Sequence, residues 1–287
     1  MSSLVGLSRF LDAAPDAALV EVAEALGSTP REAGAWMIVS PEKTYGTIGG
    51  GQLEFMAIDR ARALLGARTD QTDVPHASAI LDVPLGPEIG QCCGGRVSVS
   101  VRRLDKTLRE AVMRRAERED AGNPTALVFG GGHVGHALAA ALALLPVRTV
   151  VVETRAEALD DMPPGVETRL TPVPEEMVRE APAGAAYVVL THDHALDFLI
   201  VAEALNREDA AYVGMIGSKT KRATFRSWYL KTAGCGEARL ARLVSPIGGE
   251  TVKDKRPAVI AALAAAEIVA ALVRRNGEAG PETVPEA

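Results

Sequence analysis

The most unusual string in the chain is Gln91-Cys92-Cys93-Gly94-Gly95. Adjacent cysteines cannot easily bond each other, because the small ring they would close needs a strained peptide. They also lack the intervening residues that zinc ligands usually keep. Glycines on both sides of the pair let a bulky ligand or partner approach the backbone. A thiolate in such a loop can ligate a soft metal centre or carry sulfur. Cys92 and Cys93 are therefore candidate contacts to a metal or its sulfur, with Gln91 beside them. The competing reading is a pair of small buried residues opening a strand, since free cysteine is often buried. Cys235, in Ala233-Gly234-Cys235-Gly236, reads as a turn residue.

A different chemistry is available at Gly130-Gly131-Gly132-His133-Val134-Gly135, which fits G-x-G-x-x-G. The string follows an apolar strand and opens a helix, and the next strand ends in Glu153 at about the spacing of 20 expected for a ribose-binding carboxylate. Gly130 suits the tight turn, Gly132 lets the backbone meet a phosphate, and Gly135 lets helix and strand pack closely. The helix N-terminus adds unpaired N–H groups and partial positive charge. His133 is placed to face a ligand, and His136 reads as a packing or surface residue. NAD(P), another phosphorylated ligand, or glycines that serve packing alone all fit this pattern.

Weaker candidates lie at other strand ends. Lys219, Lys221 and Arg222 follow Gly217-Ser218, where a basic helix start suits either a phosphate or solvent. His192-Asp193-His194 has the look of a metal pair but lacks an evident third ligand. Capping suits Asp193 equally, and a polar ligand contact suits the histidines. Glu267 falls on the apolar stripe of Ile260, Leu263, Ala264 and Ala271, so its carboxylate needs a partner within the fold or on a ligand. Glu54, just after Gly49-Gly50-Gly51, has the same status.

These residues need a scaffold, and the patterning predicts two. Before residue 118, strands are expected at Ala18–Glu24, Gly34–Ser40, Lys43–Ile48, Ala79–Val83 and Arg96–Val101. An amphipathic helix follows Gly51, carrying Leu53, Met56, Ala57, Ala61 and Leu64 on one stripe. This is a mixed α/β domain over residues 1–118. The polar segment Arg114–Pro124 reads as a helix end, with a linker at 119–124. From residue 125 to 275 strands alternate with helices, which predicts a Rossmann-like, doubly wound parallel sheet. A polar tail at 276–287 is expected to be disordered.

Composition narrows the classes. The 287 residues are 47% hydrophobic and 24% charged, ordinary for a globular chain with ample core. A net charge of −6 argues against a general nucleic-acid binder. No apolar run is read as reaching a membrane span, the nearest being the Ala-rich Pro257–Val273 with Glu267 inside it. The start of the chain does not read as a secretory signal. Three cysteines form no disulfide framework, which leads to the expectation of a cytoplasmic protein.

Together the strings resemble the XdhC family, the accessory proteins that mature xanthine dehydrogenase. In the first half the resemblance is carried by Gly27-Ser28-Thr29-Pro30-Arg31, Gly46 to Glu54, and Gly90 to Gly95. In the second half it is carried by Phe129 to Gly135, Thr191 to His194 with Asp197, Gly214 to Lys219, Ser245 to Gly248, and the helix with Glu267. The sequence departs from the pattern in Glu153, where Asp is usual, and in Gly249, where a bulky apolar residue is expected.

The resemblance implies an N-terminal XdhC domain joined to a Rossmann domain. It also implies a chaperone without turnover of its own, which binds the molybdenum cofactor (Mo-molybdopterin), supports its sulfuration and inserts it into apo xanthine dehydrogenase. A cysteine desulfurase is the implied sulfur donor, and a homodimer is the assembly considered. The cofactor's phosphate would suit Gly130, Gly132, His133, Gly135 or Ser218 and Lys219. Its metal or sulfur would suit Cys92 or Cys93, and its pterin would suit Glu54 or Glu267. Gly49, Gly50, Gly51, Gln91, Glu153 and His192 complete the candidate contacts. The alternative is an NAD(P)-dependent oxidoreductase. No Tyr-x-x-x-Lys pair follows the fingerprint, so His192 or His194 would have to supply its acid and base.

Overall fold

The computed structural model describes residues 4–67, 78–86, 94–232, 236–249 and 251–279. The chain divides between Ala121 and Gly122 into two units, each with its own cores.

In the first unit, α1 (Leu4–Ala13), β1 (Ala18–Leu26), β2 (Trp36–Val39), β3 (Thr44–Gly46), α2 (Gly51–Gly66), β4 (Ser78–Pro84), β5 (Arg96–Arg103) and α3 (Lys106–Ala121) follow in order. The strands form an antiparallel sheet ordered β3-β2-β1-β5-β4. Strand side chains alternate between faces. Ala18, Val20 and Val22 meet α2 through Leu53, Ala57, Ala61 and Leu65. Leu19 and Ile38 point the other way, into a core with Leu7 and Leu11 of α1 and Val112 of α3. The expected strands are present, with bounds a few residues different.

Two helices in this unit were not anticipated as such. Helix α1 precedes the first strand, and α3 runs on to Ala121 through most of the segment read as helix end and linker. The charges there are spaced for helix: Arg114 pairs with Glu110, and Arg115 with Glu119, one turn away.

The second unit runs β6 (Thr125–Phe129), α4 (His133–Leu142), β7 (Arg148–Glu153), a 3-10 turn (Ala156–Leu159), β8 (Glu167–Leu170), α5 (Pro174–Glu180), β9 (Ala186–Val189), α6 (His194–Asn206), β10 (Tyr212–Met215), α7 (Lys219–Thr232), α8 (Glu237–Leu240), β11 (Leu243–Val244) and α9 (Pro257–Ala279). All six strands are parallel, ordered β11-β10-β9-β6-β7-β8. That is the doubly wound order with its switch point between β6 and β9. Ala126 and Val128 face α4 and α9. Leu127 and Phe129 face the core built with α5, α6 and α7.

Helix α9 corrects two expectations. It continues to Ala279, past the predicted end, and its Pro257–Arg275 stretch is long and apolar enough by length and composition to cross a membrane. A single acid at Glu267 does not interrupt so alanine-rich a run. In the fold this helix packs on α4, β9 and β10.

Candidate functional site

In the first unit, Gly94 and Gly95, the Gly27–Arg31 loop and the triple glycine meet at one end of the antiparallel sheet. The β4–β5 hairpin closes where Leu85 donates to the carbonyl of Gly95 and Gly94 donates back to Leu85. Gln91, Cys92 and Cys93 lie outside the described residues, as does Cys235. Their neighbour Gly95 is pressed against the Gly27–Arg31 loop, since a Cβ on it would lie 2.3 Å from the carbonyl oxygen of Ser28. The same loop reaches the triple glycine, where a Cβ on Gly49 would lie 2.6 Å from Cβ of Pro30.

Glu54 ties this turn down. Its Oε2 accepts from the Thr47 hydroxyl at 2.5 Å, from the N–H of Ile48 at 3.0 Å and from the N–H of Gly50 at 3.1 Å. The carboxylate braces the Gly49-Gly50-Gly51 turn at the start of α2.

In the second unit, the glycine string lies at the carboxyl end of β6. Gly130 and Gly135 are packing glycines: a Cβ on the first would meet the Leu190 carbonyl at 2.5 Å, and on the second the Gly130 carbonyl at 2.0 Å. Gly132 differs, because a Cβ there meets nothing within 4 Å. It caps α4, and His133 beside it is exposed. The helix N-terminus therefore opens onto free space.

Glu153 faces inward. It is 3% exposed. Its Oε2 accepts from the N–H of Gly131 at 2.9 Å and from the Arg155 guanidinium at 3.3 Å. Its Oε1 accepts from the N–H groups of Thr154 and Arg155 and from the Thr154 hydroxyl. Burial alone would raise its pKa, but the Gly131 N–H, the Arg155 guanidinium and the Thr154 N–H outweigh it and bring the group down to about 2. The 3-10 turn after β7 closes over the same place, since a Cβ on Gly131 would lie 2.1 Å from the Ala158 carbonyl oxygen. His136 contacts that carbonyl through Nε2 at 3.2 Å, so it is a packing residue. The expected ribose carboxylate thus serves the chain's own donors.

Next along the strand ends, Asp193 caps α6 by accepting from the N–H of Ala195 at 2.8 Å. His192 and His194 are exposed. Among the described residues no three His, Cys, Asp or Glu side chains gather into a group that could hold a metal ion. Asp197 is fully buried, takes the N–H and hydroxyl of Thr191 on Oδ1, and pairs with Lys221 through Oδ2. Lys221 therefore belongs to α6–α7 packing rather than to a solvated basic face. Ser218 accepts from the N–H of Lys221 at 3.2 Å, and Lys219 is exposed. Arg222 donates to the carbonyl of Ser245 at 3.1 Å.

Glu267 closes the series. Its Oε2 accepts from the Tyr212 hydroxyl and from the N–H of Gly248, both at 2.9 Å. The carboxylate on the apolar stripe has its partner inside the fold. Burial and the neighbouring Glu267 charge push the Tyr212 hydroxyl well above its usual range. Gly248 and Gly249 both take left-handed backbone beside it, which accounts for glycine where a bulky residue was expected.

Sequence reading missed that Asp197 and Lys221 find each other. The available signal was an acid in the first turn of α6 and a lysine in the first turn of α7, after neighbouring parallel strands.

The chain is thus a two-unit α/β protein whose second unit is a Rossmann-like domain with the glycine turn in its usual place. Its sequence matches the family model for the XdhC Rossmann domain over residues 126–268 and the model for the XdhC and CoxI family over residues 11–74. The protein belongs to the XdhC family.

A relative in Escherichia coli K12, the uncharacterized protein YqeB, is 26% identical over 275 residues, 92% of this chain. The aligned region is 44% of that protein, so the chain spans less than half of its curated relative. A Bacillus halodurans crystal structure described as a xanthine dehydrogenase superposes with a TM-score of 0.73. It is 18% identical and covers 99% of this chain and 98% of that one, a likeness of fold.

Proposed function

We propose that the protein binds the molybdenum cofactor as cargo, supports its sulfuration and passes it to apo xanthine dehydrogenase. Membership of the XdhC family supports a role in xanthine dehydrogenase maturation in general. The observation that carries the finer reading is the contrast within the glycine turn. Gly130, Gly131 and Gly135 are filled against backbone, whereas Gly132 leaves open space at a helix N-terminus. That cradle fits the cargo's terminal phosphate. In the first unit, Cys92 and Cys93, next in the sequence to Gly94 and Gly95, have the chemistry of soft ligands for the metal or its sulfur.

An oxidoreductase that uses NAD(P) is the weaker reading. A dinucleotide asks the acid after the second strand to meet a ribose hydroxyl. Glu153 is buried and occupied by five donors of its own chain.

The test loads the purified protein with molybdenum cofactor and adds it to apo xanthine dehydrogenase with a cysteine desulfurase and cysteine. Urate formation that depends on this protein, and falls in the Cys92→Ala, Cys93→Ala double variant, is expected. Equal activation with and without the protein, together with turnover of NAD(P)H by the protein alone, would overturn the proposal.

A further inference from the structure

We infer that a cavity between α6 and α7 is a binding site for a planar nitrogen heterocycle with a carbonyl edge. That is the class of the cargo's pterin, and to this extent the inference rests on the proposed function. The cavity has a volume of about 510 Å³ and lies within the second unit. It is lined by Phe198 and Leu199 of α6, by Ser218, and by Lys221, Thr224 and Trp228 of α7. The three α7 residues recur about one turn apart, so one helix face supplies them all. Of the cavity's large apolar groups, Leu199 is exposed and Phe198 and Trp228 are half-buried.

The walls are aromatic and fixed. The Phe198 ring lies 5.6 Å from Trp228 and 5.2 Å, edge to face, from the buried Phe225 beneath. A flat ring inserted there finds aromatic surface to stack on. The floor is charged: Lys221 is 9% exposed and lines the cavity while paired with the fully buried Asp197. An ammonium has three donors, and Asp197 is its one hydrogen-bond acceptor among the described residues. The remaining donors suit a ring carbonyl, the Ser218 hydroxyl can donate to a ring nitrogen, and the Thr224 hydroxyl, which donates to the Thr220 carbonyl, can accept from a ring N–H. The place is apt, because ligands of open α/β sheets bind beyond the carboxyl ends of strands, here β9 and β10. A deep floor charge below aromatic walls, in a volume typical of small-molecule sites, favours a small ligand over a flat protein surface.

Tryptophan fluorescence tests this directly. The chain has two tryptophans, so Trp36→Phe leaves Trp228 as the sole emitter. In that background, pterin-6-carboxylate is expected to quench emission saturably. Thr224→Phe fills the cavity from an exposed position and should weaken the binding at least about tenfold. Circular dichroism of both proteins establishes that they are folded. Absence of saturable quenching up to about 1 mM pterin would overturn the inference. So would equal quenching with Thr224→Phe, or loss of apo-enzyme activation by that variant without any pterin binding, which would mark a protein-docking surface. Pterin binding lost in Thr224→Phe, in a protein that retains no molybdenum cofactor, would uphold the cavity and sink the cargo reading. Cofactor retained equally by both proteins without pterin quenching would do the reverse.

Discussion

Glu54, Glu153, Asp197 and Glu267 all accept backbone N–H groups from turns beside them. Such turns expose N–H groups that secondary structure cannot satisfy, and a carboxylate takes several at once. Glu153 carries the clearest consequence. Its pKa falls from the ordinary 4.5 to about 2, so the charged form is favoured in the fold. That stability is fully present above about pH 4.5 and is lost as the pH drops through about 2. Glu153→Gln is expected to cost on the order of 2–3 kcal/mol at pH 7, and urea unfolding curves of variant and wild type should converge near pH 2. A constant difference across that range would show that the charge is not what the turn needs.

Lys221→Met leaves Asp197 buried without its cation and is expected to cost about 3–5 kcal/mol by the same measurement. The sequence places an acid near each glycine turn, which was legible. Whether a carboxylate looks outward to a ligand or back to its own chain depends on a few ångströms of approach that spacing does not encode.

The helix that begins at His133 separates the two uses of glycine within one turn. Gly131→Ala drives a methyl group against the Ala158 carbonyl and is expected to cost more than about 2 kcal/mol. Gly132→Val meets open space in extended backbone, with φ at −75°. It should cost about 1 kcal/mol, mainly as a poorer cap, and should abolish cofactor retention in a folded protein. Thermal unfolding beside molybdenum content of the purified proteins checks both. Full retention by Gly132→Val would move the phosphate elsewhere.

The strand–helix alternation of the second unit was legible because its strands are continuous apolar runs such as Thr125–Phe129, buried on both faces. Strand β8 was not, since Glu167–Leu170 sits at the sheet edge with little of it buried and no apolar run to find. Strand β11, two residues long, leaves no periodicity at all. Helix α3 hid behind its charges: Val112 is its one fully buried residue.

For the whole molecule, the division at Ala121 and Gly122 has an energetic meaning. The cores on either side are built from separate sets of residues. Each is large enough to support cooperative folding. Residues 122–287 expressed alone are expected to unfold in a single thermal transition with the circular dichroism of a parallel α/β sheet. A broad, non-cooperative melt would show that this unit depends on the first.

Helix α9 is the last described element of the chain, yet it covers the middle of the sheet. Every described parallel strand therefore leaves the ribosome before the helix that packs on α4, β9 and β10 has been made. A nascent chain halted before Pro257 carries a sheet face covered by α4 alone, and the missing cover is a run greasy enough to suit a bilayer. Glu267 gives the late docking its register, because its carboxylate reaches Tyr212 and Gly248 when the helix is seated. Ribosome-bound chains that end before Pro257 should be cut by protease within the second unit, and chains with α9 fully emerged should resist. The second unit is thus completed, in a folding sense, only when α9 docks.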